Sequence, residues 1–188
     1  MRVLLLILLM LLSACSTLPP PALSVPSFAR EATAFNLNGR MAVNNGGQRH
    51  SGGLRWQHQM QRDELLLQGP LGITVARITS DPFVATLEQN GKRYQAQDVE
   101  TLMQQVLGWG LPLPVLHHWL LGAIDDSMPA QIERDELGRL KVLQQGGWEV
   151  SYLRYVDDQA NSLPARITFS RAALQVRLLI DKWEFNPQ

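Results

Sequence analysis

Phe35-Asn36-Leu37-Asn38-Gly39-Arg40-Met41-Ala42-Val43 sets the period of this chain. Phe35, Leu37, Met41 and Val43 alternate with Asn36, Asn38 and Arg40, which is the spacing of a strand with one buried face. The same period recurs along the sequence. Leu54 and Trp56 share a face, as do Leu65 and Leu67, then Ile73 and Val75, then Phe83, Ala85 and Leu87. Later, Trp148, Val150 and Tyr152 alternate with Glu149 and Ser151, Ile167 pairs with Phe169, and Leu174, Val176, Leu178 and Ile180 close the series. Turn formers separate the runs: Asn44-Asn45-Gly46-Gly47, Gly69-Pro70, Asn90-Gly91, Leu137-Gly138, Gly146-Gly147 and Asp157-Asp158. Ten or so short strands at this spacing predict a large curved antiparallel sheet or a barrel with one buried face.

The middle of the chain changes period. Val99, Leu102, Met103, Val106 and Leu107 recur at helical spacing, with Asp98 placed to cap the start and Gly108 to stop the helix. A second helix is expected from Pro114 to near Gly122, with Leu116, Trp119 and Leu120 on one face. Two amphipathic helices inside an all-β run need an apolar partner, and the concave side of the sheet supplies it. No composition shift divides residues 31–188, so they read as one domain without internal repeats, mainly β with α.

Upstream of that domain, Met1-Arg2 leads an apolar run from Val3 to Leu12, followed by Ser13-Ala14-Cys15. The run is far shorter than the roughly 20 residues a span requires. A charged start, an apolar centre and small residues before a cysteine describe a lipoprotein signal over residues 1–14, cut before Cys15. The Cys15 thiol then carries diacylglyceryl and its amine an acyl group. Cys15 is the only cysteine, so no disulfide competes for it. Ser16 follows it instead of Asp, the pattern of lipoproteins sorted to the outer membrane rather than kept in the inner one. Residues 15–30, with Pro19-Pro20-Pro21 and Pro26, read as a lipidated tether.

Charge excludes one class of partner. The chain has 17 basic and 17 acidic residues, and the signal removes only Arg2, so the mature protein lacks the basic footprint of a nucleic-acid binder. Enzyme motifs are missing as well: there is no G-x-S-x-G, and Gly91-Lys92 lacks the rest of a phosphate loop. His117 and His118 are adjacent on a helix and point about 100° apart, so they do not share a metal-binding face. His50 and His58 lie eight apart on a strand without a ligand cluster. All four histidines read as ordinary polar or half-buried residues, and Asp125-Asp126 and Asp157-Asp158 as turns. No metal or cofactor is expected beyond the lipid on Cys15.

What remains is apolar surface. Trp56, Trp109, Trp119, Trp148 and Trp183 sit among Leu, Ile and Met on the inward faces. They read either as plain core or as the walls of a cavity under the helices, and an uncharged aliphatic cavity suits acyl chains. The wall candidates are Trp56, Leu67, Val75, Leu102, Val106, Leu116, Trp119, Leu120 and Trp148. In Gly69-Pro70-Leu71-Gly72, one bulky apolar side chain stands among turn formers. Leu71 either folds back onto the core or protrudes toward lipid.

The ordered set of features resembles the outer-membrane lipoprotein receptor family LolB. It comprises the Cys15 lipobox, Phe35-x-Leu-x-Gly39-Arg40-Met41-Ala42, Leu54-Arg55-Trp56, Leu65-Leu66-Leu67-x-Gly69-Pro70-Leu71-Gly72, the Asp98–Gly108 helix, Leu111-Pro112-Leu113-Pro114, Trp119-Leu120-Leu121-Gly122 and Lys182-Trp183. The resemblance implies an incomplete, open antiparallel β-barrel with helices over its hydrophobic concave side. It implies a monomer that accepts lipoprotein clients from a LolA-like periplasmic carrier, holds their acyl chains in the cavity and inserts them into outer-membrane lipid. Pro70, Leu71 and Gly72 match the family's membrane-insertion loop. Asn45-Gly46-Gly47 and Gly52-Gly53 depart from it and leave the register of the first hairpin open. Two other readings stand beside this one: a scaffold lipoprotein of an outer-membrane assembly complex, and a lipid-processing enzyme. The enzyme requires a reactive Ser or a carboxylate pair that the sequence does not present.

Overall fold

In the computed structural model, residues 34–185 are described. The signal, Cys15 and the tether therefore lie outside the described residues. Eleven antiparallel strands form one sheet in the order β6-β5-β4-β3-β2-β1-β11-β10-β9-β8-β7. They are β1 (Ala34–Asn45), β2 (Gln48–Gln59), β3 (Arg62–Gln68), β4 (Thr74–Ser80), β5 (Ala85–Gln89), β6 (Lys92–Ala96), β7 (Ala130–Arg134), β8 (Leu140–Gln145), β9 (Trp148–Tyr155), β10 (Pro164–Arg171) and β11 (Leu174–Glu184). Neighbours are consecutive in sequence except where β1 meets β11. The sheet does not close, because its edges β6 and β7 are not paired with each other.

The expected period holds across the centre of the sheet. Phe35, Leu37, Met41, Val43, Leu54, Trp56, Leu65 and Leu67 are buried, as are Trp148, Val150, Tyr152, Ile167, Phe169, Val176, Leu178 and Ile180. The first hairpin runs without a register shift from Ala34↔Gln59 to Asn45↔Gln48, which settles the question its glycines raised. Gly52 has a steric reason: a Cβ there would lie 2.2 Å from the Gln68 carbonyl oxygen.

Two parts of the pattern read differently in the fold. Ile73 and Val75 face outward, 64% and 47% exposed, while Ala76 and Ile78 face the core. The cause is a bulge: Leu67 pairs with Ala76 and Gln68 with Thr74, so Val75 is the extra residue and the inward parity shifts by one. Val75 is therefore not a wall residue. Phe83, expected on the face of Ala85 and Leu87, is 85% exposed. It lies in the β4–β5 turn, where Asp81 Oδ1 accepts from the Phe83 and Val84 amides at 2.9 and 3.0 Å, and the strand begins only at Ala85.

Two helices cover the buried face. In α1 (Val99–Leu107) the Asp98 carboxylate accepts from the Thr101 amide at 2.7 Å, and Gly108 ends the helix at φ 81°. In α2 (Leu113–Leu120), Leu113, Leu116, Trp119 and Leu120 are buried, joining α1 and the sheet in one hydrophobic core.

Candidate functional site

The helices and the sheet meet along an apolar seam. Met41, Leu54, Trp56, Leu65 and Leu67 from β1–β3, with Phe169, Val176 and Leu178 from β10 and β11, form its floor. Met103 of α1, Leu116 of α2, and Trp109 and Leu111 between the helices form its roof. No lining residue is charged. The void is about 20 Å³, room for about one water molecule. Apolar faces that nothing holds apart close on each other to interior packing density. Any elongated guest enters only by lifting the roof off the floor.

Of the predicted wall residues, Trp56, Leu67 and Leu116 line this void. Leu102, Trp119, Leu120 and Trp148 are buried in the same core beside it, and Val106 packs against its margin half-buried. Met103, Leu111 and Phe169 belong to the site although they were not singled out as walls, and Trp109, named among the inward tryptophans, lines it too. Their inward parity or helical spacing was visible, but which inward positions lie beneath a helix depends on where the helices dock. Two larger depressions, of about 520 and 560 Å³, are open and partly polar. The first includes Gln144, Glu149 and Arg171, the second Asp157, Asp181 and Lys182, so neither is an apolar slot.

Polar groups sit at one end of the seam. Asp63 Oδ1 accepts from Trp56 Nε1 at 2.7 Å and lies 2.8 Å from His58 Nδ1. Asp63 and His58 are cross-strand partners and both are buried. The signal for this pair was a two-residue Met60-Gln61 turn, which lacks glycine although Met60 adopts φ 54°. His58 also stacks on His117 of α2, with centroids 4.6 Å apart and planes 14° apart. The His117 and His118 rings lie 3.9 Å apart, so adjacent helical positions do not keep them separate. Burial, reinforced by His118 and His58, holds His117 down to about 4. The histidines are thus more organised than the ordinary residues expected. Among the described residues, no group of three or more His, Cys, Asp or Glu could hold a metal ion. In the same last turn of α2, Trp119 Nε1 donates to Gln145 Oε1 at 2.8 Å and Tyr152 OH to the Trp119 carbonyl at 2.9 Å.

The β3–β4 loop projects away from the core. Pro70–Gly72 form one 3₁₀ turn, closed by Gly69 N–H to the Ile73 carbonyl at 2.9 Å and Gly72 N–H to the Gly69 carbonyl at 3.2 Å. Gln68 Nε2 adds a bond to the Gly72 carbonyl at 3.3 Å. Leu71 is held at φ 61° and is 98% exposed, so it protrudes. Left-handed backbone costs a non-glycine residue about 1 kcal/mol, which the loop hydrogen bonds offset. No described helix is long and apolar enough to cross a membrane.

An open antiparallel sheet, a helix roof over an apolar seam and one protruding leucine define a class: half-open barrels with a concealed apolar interior. A DUF1329 family protein from Desulfovibrio piger has the same fold, at TM-score 0.54 and 5% identity, over 85% of this chain and 88% of that one. The family profile described as "LolB: Outer membrane lipoprotein LolB" matches residues 33–183. Curated relatives named outer-membrane lipoprotein LolB include one from Azoarcus sp. (strain BH72), 42% identical over 93% of this chain and 90% of its own length. Another, from Chromobacterium violaceum, is 37% identical over 97% of this chain and 98% of its own length. The chain belongs to the LolB family of outer-membrane lipoproteins.

Proposed function

We propose that this chain, anchored through lipid on Cys15, receives lipoproteins from a LolA-like periplasmic carrier and delivers them to the outer membrane. The client's acyl chains enter the seam between the α1–α2 roof and the sheet, and Leu71, between Pro70 and Gly72, touches the bilayer during release. The observation that carries this reading is the all-apolar lining of the seam, from Met41 and Trp56 on the floor to Met103 and Leu116 on the roof. Acyl chains need no hydrogen bonds, and such walls offer none. The transfer involves no covalent step. A free-energy difference between the two proteins sets its direction. The final move is downhill through those methylenes that the seam leaves in water and the bilayer buries, about 0.8 kcal/mol each.

A scaffold that binds protein instead of lipid also has a filled core, so the void of about 20 Å³ does not by itself separate the two readings. Family membership and the protruding leucine weigh for acyl acceptance. The test mixes the signal-less Cys15→Ala chain with carrier loaded with a lipoprotein and asks which protein retains the client. Movement to this chain supports the receptor; retention on a carrier competent to release overturns it in favour of the scaffold.

A further inference from the structure

Leu71 is the tip of a longer apolar stripe. Ile73 and Val75 follow it at alternate positions, and both face outward from the sheet. The neck of the loop holds the stripe in place. Gly69 N–H donates to the Ile73 carbonyl, and a Cβ on Gly69 would lie 3.0 Å from Val75 Cγ1, so the glycine lets Val75 close on the neck. From Leu71 to Val75 the stripe extends at most about 13 Å. Apolar faces that lie at a bilayer surface sink about 5–10 Å into it.

Cations flank the stripe. On the outer face, Arg55 of β2, Leu66 of β3 and Arg77 of β4 stand in one cross-strand row. Arg77 follows Val75 by two residues, roughly 7 Å further from the loop tip. The β1–β2 hairpin runs on past the last β2–β3 pair, Gly53↔Gln68, to Gln48, which places Arg49 alongside the loop. Arg49 and Arg55 are an even number of residues apart and share a face. Arg77 is ion-paired with Glu64, and its cross-strand neighbour Glu88 contacts Arg93. Arg49 and Arg55 have no ion-pair partner among the described residues.

Charge also differs between the two ends of the sheet. The strand-to-strand turns at Leu71's end, from Gly46-Gly47 and Gly69–Ile73 to Ala172-Ala173, contain no acidic residue. Those at the opposite end carry Asp81, Asp135, Glu136, Asp157 and Asp158, and the single cation among them, Arg139, is paired with Asp135. An anionic surface therefore attracts the end that bears the stripe and repels the other.

We propose that Leu71, Ile73 and Val75, with Arg49 and Arg55, form one docking surface for anionic phospholipid. The stripe enters the boundary between headgroups and acyl chains, and the two arginines meet the negatively charged headgroups. A bilayer receives both parts at once, whereas an acidic protein surface meets only the arginines. The inference rests on the delivery reading above and names the lipid chemistry that its release step takes.

The experiment mixes the signal-less Cys15→Ala chain with sedimentable vesicles of phosphatidylcholine, or of phosphatidylcholine with phosphatidylglycerol. Binding is expected to rise about tenfold or more with phosphatidylglycerol, and molar salt, which shortens the screening length to about 3 Å, should remove the gain. A cation near an anionic surface contributes about a fivefold gain. Arg49→Gln and Arg55→Gln should each weaken binding to the mixed vesicles about that much and leave binding to phosphatidylcholine unchanged. The pair Ile73→Thr and Val75→Thr should weaken binding to both kinds. Equal binding to both kinds, or a gain that survives molar salt, overturns the anionic docking surface. Arginine variants that bind mixed vesicles like wild type but accept clients from the carrier more slowly overturn it in favour of an acidic carrier surface. The vesicle arm contains no client, so its failure leaves acceptance from the carrier standing. A chain that prefers mixed vesicles yet takes no client from a competent carrier fails as a receptor and keeps the docking surface. The salt arm needs no variant, and both arginines are exposed, so a folding defect does not cloud the outcome.

Discussion

Leu71 and Asp63 show how far a single residue can be argued. Leu71 is solvent-facing at 98% exposure and held left-handed by its loop, so its side chain contributes nothing to the core. Leu71→Glu is expected to leave unfolding midpoints within about 0.5 kcal/mol of wild type. It should preserve acceptance from the carrier and slow insertion into liposomes, measured as client in the vesicle fraction over time; equal insertion rates remove the loop from the mechanism. Asp63 is the opposite case. One buried oxygen serves Trp56 and His58, so Asp63→Ala strands two buried donors and should destabilise the domain by about 2–5 kcal/mol in a urea titration. Both residues were legible as types but not as roles. Whether Leu71 protruded depended on the loop closure, and the partners of Asp63 depended on a hairpin turn without glycine.

At the scale of elements, the helices were the most legible part. The capping acid, helical spacing and terminal glycine of α1 are local signals, and the fold keeps all three. Asp98→Ala removes the bond to the Thr101 amide and should cost about 1 kcal/mol of stability, read from chemical denaturation at pH 7. The Asp98 carboxyl is held below the usual carboxylate range chiefly by its bond to Thr101. That contribution is therefore present at neutral pH and is lost as pH falls through the depressed value, so the difference between Asp98→Ala and wild type should shrink in acid. Central strands were legible because one face is buried. The edge strands β6 and β7 were not, because almost all their residues are exposed and no alternation is imposed on them. In β4 the alternation misled, since the bulge at Val75 moves every following residue to the other face.

For the whole molecule, topology sets where the start of β1 and the β3–β4 loop stand. Ala34 begins β1 opposite Gln59, at the end of the sheet where β3 begins, whereas Leu71 follows the far end of β3. The seven residues of β3 span about 23 Å. Fully extended, the stretch from Cys15 to Ala34 is roughly 65 Å long, enough for Leu71 to reach a membrane under the proposed anchoring through Cys15. Deleting residues 17–30 leaves a reach of only about 17 Å. The shortened chain should accept clients at the wild-type rate and insert them more slowly in the membrane-anchored assay; unchanged insertion would show that the reach is not used. The strand period, both helices with their caps, the signal-like start with its single cysteine, and the apolar character of the interior are all readable along the chain alone. These rest on local backbone preference and on side-chain polarity, which neighbouring residues express without help from distant ones. The parity of β4, the narrowness of the seam, the wall residues under the helices and the imidazole stack between β2 and α2 emerge only on folding. Each depends on register or docking between segments far apart in the chain, where packing of specific surfaces, and not local propensity, selects the outcome.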